Sequence, residues 1–241
     1  MTKCLCLNKT TLFLLSFVIA CVGNSGKKKA FLVFVDYSKS ASTLNAPNQK
    51  KVEELIYSIA LEMNREDLLE VFPIHAYTMS ATAVFHLKGP PLEGDLRDKR
   101  RRGDWIENKV NSGVQKMWNG KIRNEIRMST DLYPIVNKVS RMVKNDYSPV
   151  VYIISDMIQD HERESFINVF KESRKIFPIK YSKKKVSELG IAGLMKGVNV
   201  IIKIPGSPEG DMIYNEIRSS VDAFWEEFFT LCGAEVIIEN L

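Results

Sequence analysis

The sequence predicts an α/β domain with a doubly wound, mostly parallel sheet of six strands, one antiparallel edge strand, and helices on both faces. The first observation is the apolar run at residues 30–35, whose lack of alternation indicates a strand buried on both faces. The second is a similar run at 149–154. The third is the alternation of such runs with amphipathic helical patterns, which is typical of parallel sheets with helical crossovers.

The other elements are predicted from the period of their apolar residues. In chain order they are a helix at 50–63, hairpin strands at 69–77 and 82–87, helices at 104–119, 130–143 and 162–175, a short basic helix at 182–195, a strand at 197–204, a helix at 212–231 and a last strand at 234–238. Ser129, Thr130 or Asp131 is expected to cap the helix at 130–143. Right-handed crossovers then place the ends of the two buried strands side by side.

Residues 1–20 predict an export signal rather than a part of the fold. The apolar stretch at 12–20 follows two lysines and is shorter than the roughly 20 residues that a membrane-spanning helix needs. The tetrapeptide VIAC at 18–21 resembles the lipobox of bacterial lipoproteins, in which cleavage precedes the cysteine and its sulfur is lipidated. This resemblance implies a lipid anchor on Cys21 and a tether over 21–29; an ordinary secretory signal is the alternative.

Residues 88–128 interrupt the alternation with a basic insertion. Within it, 97–127 carries ten Lys or Arg against four Asp or Glu. Trp105 and Trp118 fall near the apolar side of the predicted helix, which favours core tryptophans under a solvated basic face. An acidic surface, such as lipid headgroups or envelope polymer, is an alternative partner. Nucleic acid is disfavoured because an exported protein seldom meets it.

Oxygen-bearing side chains follow both buried strands. The first strand ends at Asp36 in a D-x-S-x-S loop with Ser38 and Ser40, and the second ends at Asp156, while Thr130 opens the intervening helix. Ligands bind at this edge of open α/β sheets. These five residues, with the order of elements, resemble the metal-ion-dependent adhesion site of von Willebrand factor type A domains.

The resemblance covers residues 30–241 as a single domain and implies a bound Mg²⁺, or Mn²⁺, held entirely by oxygen atoms. Ser38, Ser40 and Thr130 would coordinate the ion, and the two aspartates would hold it mainly through water. Because neutral hydroxyls leave the metal short of negative charge, a protein ligand would supply an Asp or Glu. The implied protein is a lipid-anchored bacterial envelope protein, on its periplasmic or surface face, with no catalytic residues.

The sequence departs from the pattern of the resembled family at one position, and from that of an alternative enzyme family at another. Met157 follows Asp156, where many family members have glycine. Magnesium-dependent phosphatases of the haloacid dehalogenase type place a second aspartate two residues after the first, where this chain has Ser38, so we expect no enzyme. A metal-free structural lipoprotein of the same fold, and less favourably a magnesium-dependent hydrolase, remain the competing interpretations.

Overall fold

The structure is a computed structural model that describes residues 27–38, 41, 43, 45–90, 103–119, 129–161, 164–172, 177–206 and 212–241. The predicted export signal, the lipidation residue Cys21 and the candidate ligand Ser40 lie outside these residues. So do 91–102 and 120–128 of the predicted insertion.

Strands and helices alternate along the described chain. The strands are β1 (Lys29–Asp36), β2 (Leu68–Ile74), β3 (Phe85–Lys88), β4 (Ser148–Ile154), β5 (Asp160–His161), β6 (Glu164–Ser165), β7 (Asn199–Ile204) and β8 (Glu235–Asn240). The α-helices are α1 (Ala46–Glu62), α2 (Ser112–Asn119), α3 (Pro134–Lys144), α4 (Pro178–Leu189) and α5 (Met212–Leu231). Two π-helical segments, Ile106–Asn111 and Ile167–Glu172, precede α2 and α4.

The predicted fold class is confirmed. Six strands form one sheet in the order β3-β2-β1-β4-β7-β8, in which every pairing is parallel except that of β3 with β2. The two buried strands of the sequence, β1 and β4, lie side by side with Val35 opposite Ile154. Asp36 therefore ends its strand next to Ser155, at the edge where the parallel strands finish, which we call the C-terminal edge.

Strand β1 lies between two cores because its side chains alternate between two covered faces. Alternate residues join the two hydrophobic clusters of the domain. They are Ala30, Leu32 and Phe34 on one face, and Phe31, Val33 and Val35 on the other.

The first face is covered by α3, α4 and α5, and aromatic rings of α5 dominate its packing. The ring of Phe224 meets that of Phe166 edge-on, with 4.8 Å between centroids, and Trp225 stacks on Phe229 at 5.5 Å. The helix ends just before Gly233, whose φ of 95° and close approach to the Lys196 backbone exclude a larger side chain. The packed aromatic side chains of α5 extend to the C-terminal edge, where Trp225 contacts the loop after β4.

The second face is covered by α1 and by the helical segment at 103–119. Asn45 caps α1 by accepting a hydrogen bond from the Asn48 backbone, so the helix begins four residues before the predicted position 50. Trp118 is buried and Trp105 partly buried against this core. The described part of the basic insertion thus contributes tryptophans to the core.

Two expectations about the helices were wrong. Helix α3 begins at Pro134, and its N-cap residue Tyr133 makes no side-chain capping bond. Thr130, which was expected to cap or open this helix, instead lies in an extended segment that pairs with Asp160. Pro134 fixes the backbone at the first position of α3, so the helix starts there without a polar cap.

The helix predicted at 162–175 was also wrong in its first part. Residues 160–161 and 164–165 pair as the antiparallel strands β5 and β6, and the chain becomes helical only at Phe166. The hairpin predicted at 69–77 and 82–87 has the expected antiparallel pairing, but its strands are shorter and ten residues separate them. The basic helix predicted at 182–195 lies at Pro178–Leu189.

Helices of the described chain are not long and apolar enough to cross a membrane. Cys232 is fully buried, and burial raises the pKa of its thiol to about 12, which leaves it unreactive.

Candidate functional site

Asp36 is the buried centre of the C-terminal edge. It is 0% exposed, and its Oδ1 accepts a hydrogen bond of 2.8 Å from the Ser38 backbone N–H. Its Oδ2 accepts one of 2.7 Å from the Ser155 hydroxyl on the neighbouring strand. The carboxylate therefore ties the β1 loop to the end of β4.

Burial raises the pKa of the Asp36 carboxyl, and hydrogen bonds from Ser155 and Ser38 oppose that rise only in part. Among the described residues, no lysine, arginine or histidine forms an ion pair with Asp36. A carboxylate removed from water without a positive neighbour is costly to keep ionised. The site therefore has the electrostatic character of one that a cation would stabilise.

The loop after β4 is held in a tight conformation. Ser155 Oγ accepts a 2.9 Å bond from the Met157 N–H, and Asp156 Oδ1 accepts a 3.0 Å bond from the Ile158 N–H. Met157 has a φ of 62°, in the left-handed region, at the position where the resembled family has glycine. The Trp225 indole donates to its carbonyl at 2.8 Å, so the side chain of α5 helps to hold this strained residue.

The segment that carries Thr130 lies against the same loop. The Thr130 N–H donates to the Asp160 carbonyl at 2.7 Å, and the Asp160 N–H donates back at 3.1 Å. Thr130 is 2% exposed, yet its hydroxyl makes no hydrogen bond to any residue that the structure describes. This hydroxyl is an available oxygen ligand at the C-terminal edge.

Gln159 joins these two segments through its side chain. It is 2% exposed; its Oε1 accepts from the Leu132 N–H at 2.8 Å, and its Nε2 donates to Asp131 Oδ1 at 3.1 Å. The pKa of Asp131 is raised, mainly by burial and against the bond from Gln159. The amide therefore uses both its acceptor and a donor to fix the segment beside Thr130.

The first loop is described only in part. Ser38 is 7% exposed and its hydroxyl accepts from the Ala41 N–H at 3.4 Å. The Thr43 hydroxyl donates to the Asp36 carbonyl, which closes the loop back onto the end of β1. Ser40, the third member of the motif, lies outside the described residues.

Four of the five predicted metal ligands, Asp36, Ser38, Thr130 and Asp156, thus lie on segments that meet at the C-terminal edge. Their donors are all oxygen, as a hard divalent cation requires, and all four residues are buried. The described residues contain no cluster of three His, Cys, Asp or Glu side chains that could hold a metal. A metal ion here would depend on hydroxyl ligands, and the Thr130 hydroxyl is one of them.

Two residues that shape the site were missed in the sequence. Ser155 gave no signal because a serine followed by an aspartate is a common pair and belongs to no motif with a defined spacing. Gln159 gave no signal because glutamine is usually exposed, and its burial follows only from the pairing of Thr130 with Asp160. Both act on backbone and carboxylate groups that only the folded chain brings together.

Comparisons with known proteins find only distant structural similarity. No protein-family model and no curated protein matches the chain. An aerotolerance-related membrane protein from Bacteroides fragilis, carrying multiple mutations to serines, is similar at 13% identity with a TM-score of 0.41, over 88% of this chain and 92% of that chain. A von Willebrand factor type A structure from Catenulispora acidiphila is similar at 10% identity with a TM-score of 0.41, over 89% and 39%.

The human COPII-coat protein Sec24c is similar at 10% identity with a TM-score of 0.40, over 89% of this chain and 30% of that chain. The chain thus spans well under half the length of the second and third of these structures. Likeness of this strength carries no argument about function. The functional argument rests on the geometry of the C-terminal edge.

Proposed function

We propose that the domain binds Mg²⁺ or Mn²⁺ at its C-terminal edge and, through that ion, an acidic side chain of a partner protein. The observation that carries this proposal is the Thr130 hydroxyl, which makes no hydrogen bond to another described residue and belongs to a residue that is only 2% exposed. It lies at the same edge as Asp36, a buried carboxylate with no ion pair in the described chain. A hydroxyl without a hydrogen bond and a buried carboxylate without an ion pair, both at one edge of the sheet, support a cation there.

The proposed roles follow the chemistry of each side chain. Ser38 and Thr130, with Ser40 by resemblance, would offer neutral hydroxyl oxygens to the ion. Asp36 and Asp156 would hold its water ligands and fix the hydroxyls. The bound ion would supply a positive charge that attracts one further carboxylate. This is a binding function, and it requires no bond to be broken.

The proposed anchor suits this direction of binding. The chain enters β1 at Lys29 and leaves it at Asp36, so the two residues are separated by the length of the strand, roughly 23 Å. A tether attached before Lys29 would hold the domain by the edge opposite the site. A lipid on Cys21 would therefore leave the site facing away from the bacterial membrane, open to a partner protein in the envelope.

Calorimetric titration of MgCl₂ and MnCl₂ into the full chain tests the metal site. Thr130→Val removes the hydroxyl and keeps the shape, so we expect about tenfold weaker binding with no loss of stability. Thr78→Val is the matched control, because the buried Thr78 hydroxyl donates to the His75 carbonyl at 2.7 Å. It should lower stability by about 1 kcal/mol and leave metal binding unchanged.

The competing functions give different results. A wild-type chain that takes up no metal would contradict the proposal and favour a structural lipoprotein. Hydrolysis of generic phosphate esters that depends on Mg²⁺ and on Asp36 would favour the enzyme.

The anchor is tested independently of the site. Expressed in bacteria with labelled palmitate, the chain should incorporate label, and Cys21→Ser should abolish it. Cys232→Ser is the control, since the buried Cys232 thiol should not be acylated. Equal labelling of the wild type and Cys21→Ser would exclude the anchor while leaving the metal proposal standing.

A further inference from the structure

The two candidate ligands Thr130 and Asp156 lie on segments that are far apart in sequence and closely bonded in space. Two backbone hydrogen bonds pair Thr130 with Asp160, and the Gln159 amide adds two more, to the Leu132 backbone and the Asp131 side chain. Together these four bonds hold Thr130 and the two residues that follow it. The position of the Thr130 segment therefore depends on Gln159 as well as on the β-bridge.

Gln159 is itself firmly held. Its carbonyl accepts a 2.9 Å bond from the Phe166 N–H, and the Phe166 ring is fully buried against α5. Two residues earlier in the loop, the Met157 carbonyl accepts the bond from the Trp225 indole. The loop that presents the amide is thus fixed to the core on both sides of it.

The amide is poorly explained as a filler of the core. Burying a polar amide brings no gain over an apolar side chain of the same size unless its hydrogen bonds are needed. A methionine would fill the same volume without polar atoms to satisfy. What the amide adds is direction, because its donor and acceptor each select one group of the opposing segment.

We propose that Gln159 is the positioning residue of the candidate metal site, whose amide holds the segment carrying Thr130 against the segment carrying Asp156. This inference rests on the proposed function. Gln159 does not coordinate the ion. It acts through Thr130, because it keeps the Thr130 hydroxyl in the position where it can coordinate the ion.

Amide hydrogen exchange of the metal-free full chain first tests the clamp, by which we mean the two hydrogen bonds of the Gln159 side-chain amide. In Gln159→Met the Leu132 amide loses its acceptor, so we expect its protection and that of Thr130 to fall, with the rest of the sheet unchanged. Val200→Ala is the control for lost stability, because Val200 is fully buried in β7 near the start of that strand. It should not change protection of Leu132 relative to the sheet.

Metal titration of the same variants tests the positioning. We expect Gln159→Met to bind Mn²⁺ about tenfold more weakly than the wild type, and Val200→Ala to bind it equally well. A polarity swap supplies the rescue. Gln159→Glu places two carboxylates face to face and should weaken binding, whereas Gln159→Glu with Asp131→Asn restores one donor and one acceptor and should recover it.

The outcomes separate this inference from the proposed function. Wild-type binding of Mn²⁺ with undiminished binding by Gln159→Met, or without rescue by the swap, would overturn the positioning role alone. Undiminished protection of Leu132 in Gln159→Met would overturn the clamp. No binding of Mn²⁺ by the wild type would overturn both the proposed function and the positioning role.

Discussion

Two buried aspartates hold the two ends of β1, and only one of them has the character of a binding site. Asp67, 4% exposed, accepts hydrogen bonds of 2.8 Å from the backbone N–H groups of Lys29 and Asn64. Asp36, 0% exposed, shares its oxygens between the Ser38 backbone and the Ser155 hydroxyl. Both carboxylates are buried, so burial alone does not distinguish them.

The difference lies in what surrounds each carboxylate. Each oxygen of Asp67 meets a backbone donor, and together these bonds pin the start of β1 to the turn before β2. Asp36 is surrounded by hydroxyl-bearing residues, and burial raises the pKa of its carboxyl. Backbone donors alone satisfy Asp67, whereas the proposed function gives Asp36 a cation as a further partner.

The largest effect is expected from replacing each aspartate by asparagine. Asp36→Asn should weaken Mn²⁺ binding by about 100-fold while changing the free energy of unfolding of the metal-free chain by less than about 1 kcal/mol. Asp67→Asn turns an amide group toward a backbone N–H, so it should cost about 1–3 kcal/mol without changing the metal affinity. Calorimetric titration and urea unfolding measure the two quantities.

The comparison would fail if the two variants behaved alike. A large loss of stability in Asp36→Asn, with metal affinity equal to that of the wild type, would make Asp36 a second structural aspartate. A loss of metal affinity in a fully folded Asp67→Asn variant would indicate that the ion binds at the opposite edge of the sheet, where β1 begins, and would contradict the proposed site.

Ser155→Ala sharpens the comparison with a smaller effect. At Asp67 both donors are backbone groups, but at Asp36 one donor is a side chain that can be removed. Without it the Met157 N–H also loses its acceptor, so we expect about 1–2 kcal/mol of destabilisation. We expect about tenfold weaker Mn²⁺ binding, since Asp36 is no longer oriented. Ser182→Ala, which removes another buried hydroxyl, should leave the metal affinity unchanged.

The sheet could be predicted from the sequence because its signals are local. The unbroken apolar run that became β1 reflects burial on both faces, whereas in β4 buried residues alternate with half-buried ones such as Val150 and Tyr152. The helix at 212–231 was predicted with the bounds it has in the structure. The antiparallel edge followed from the shortness of the connection before β3. These features depend on period and length, which a single sequence shows directly.

The details of the site could not be predicted, because they depend on contacts between distant segments. Thr130 was expected at a helix start, yet its pairing with Asp160 places it in an extended segment. Met157 breaks the glycine pattern of the resembled family, but its left-handed conformation is held by bonds from Trp225 and to Ser155. Neither bond leaves a trace in the local sequence.

The smallest effect concerns the proton that Asp36 releases. Because burial raises the pKa of this carboxyl, part of the metal-free population carries a proton as the pH falls towards that raised value. Metal binding requires the ionised form, so it should release less than about one proton per ion and weaken as the pH falls. Titrations in buffers of different ionisation enthalpy measure the released proton, and Asp36→Asn should abolish that part of it.

The same raised pKa has the opposite effect on the stability of the metal-free chain: its contribution to folding falls as the pH rises, whereas metal binding weakens as the pH falls. A carboxyl whose pKa is higher in the folded than in the unfolded state binds its proton more tightly when folded, so Asp36 favours folding below the unfolded value and loses that contribution as the pH rises through the folded value. Asp131 and Asp222 are shifted in the same direction. The difference in the free energy of unfolding between the wild type and Asp36→Asn, measured across this pH range, therefore isolates the contribution of Asp36. A difference that does not vary with pH would mean that folding does not raise the pKa of Asp36.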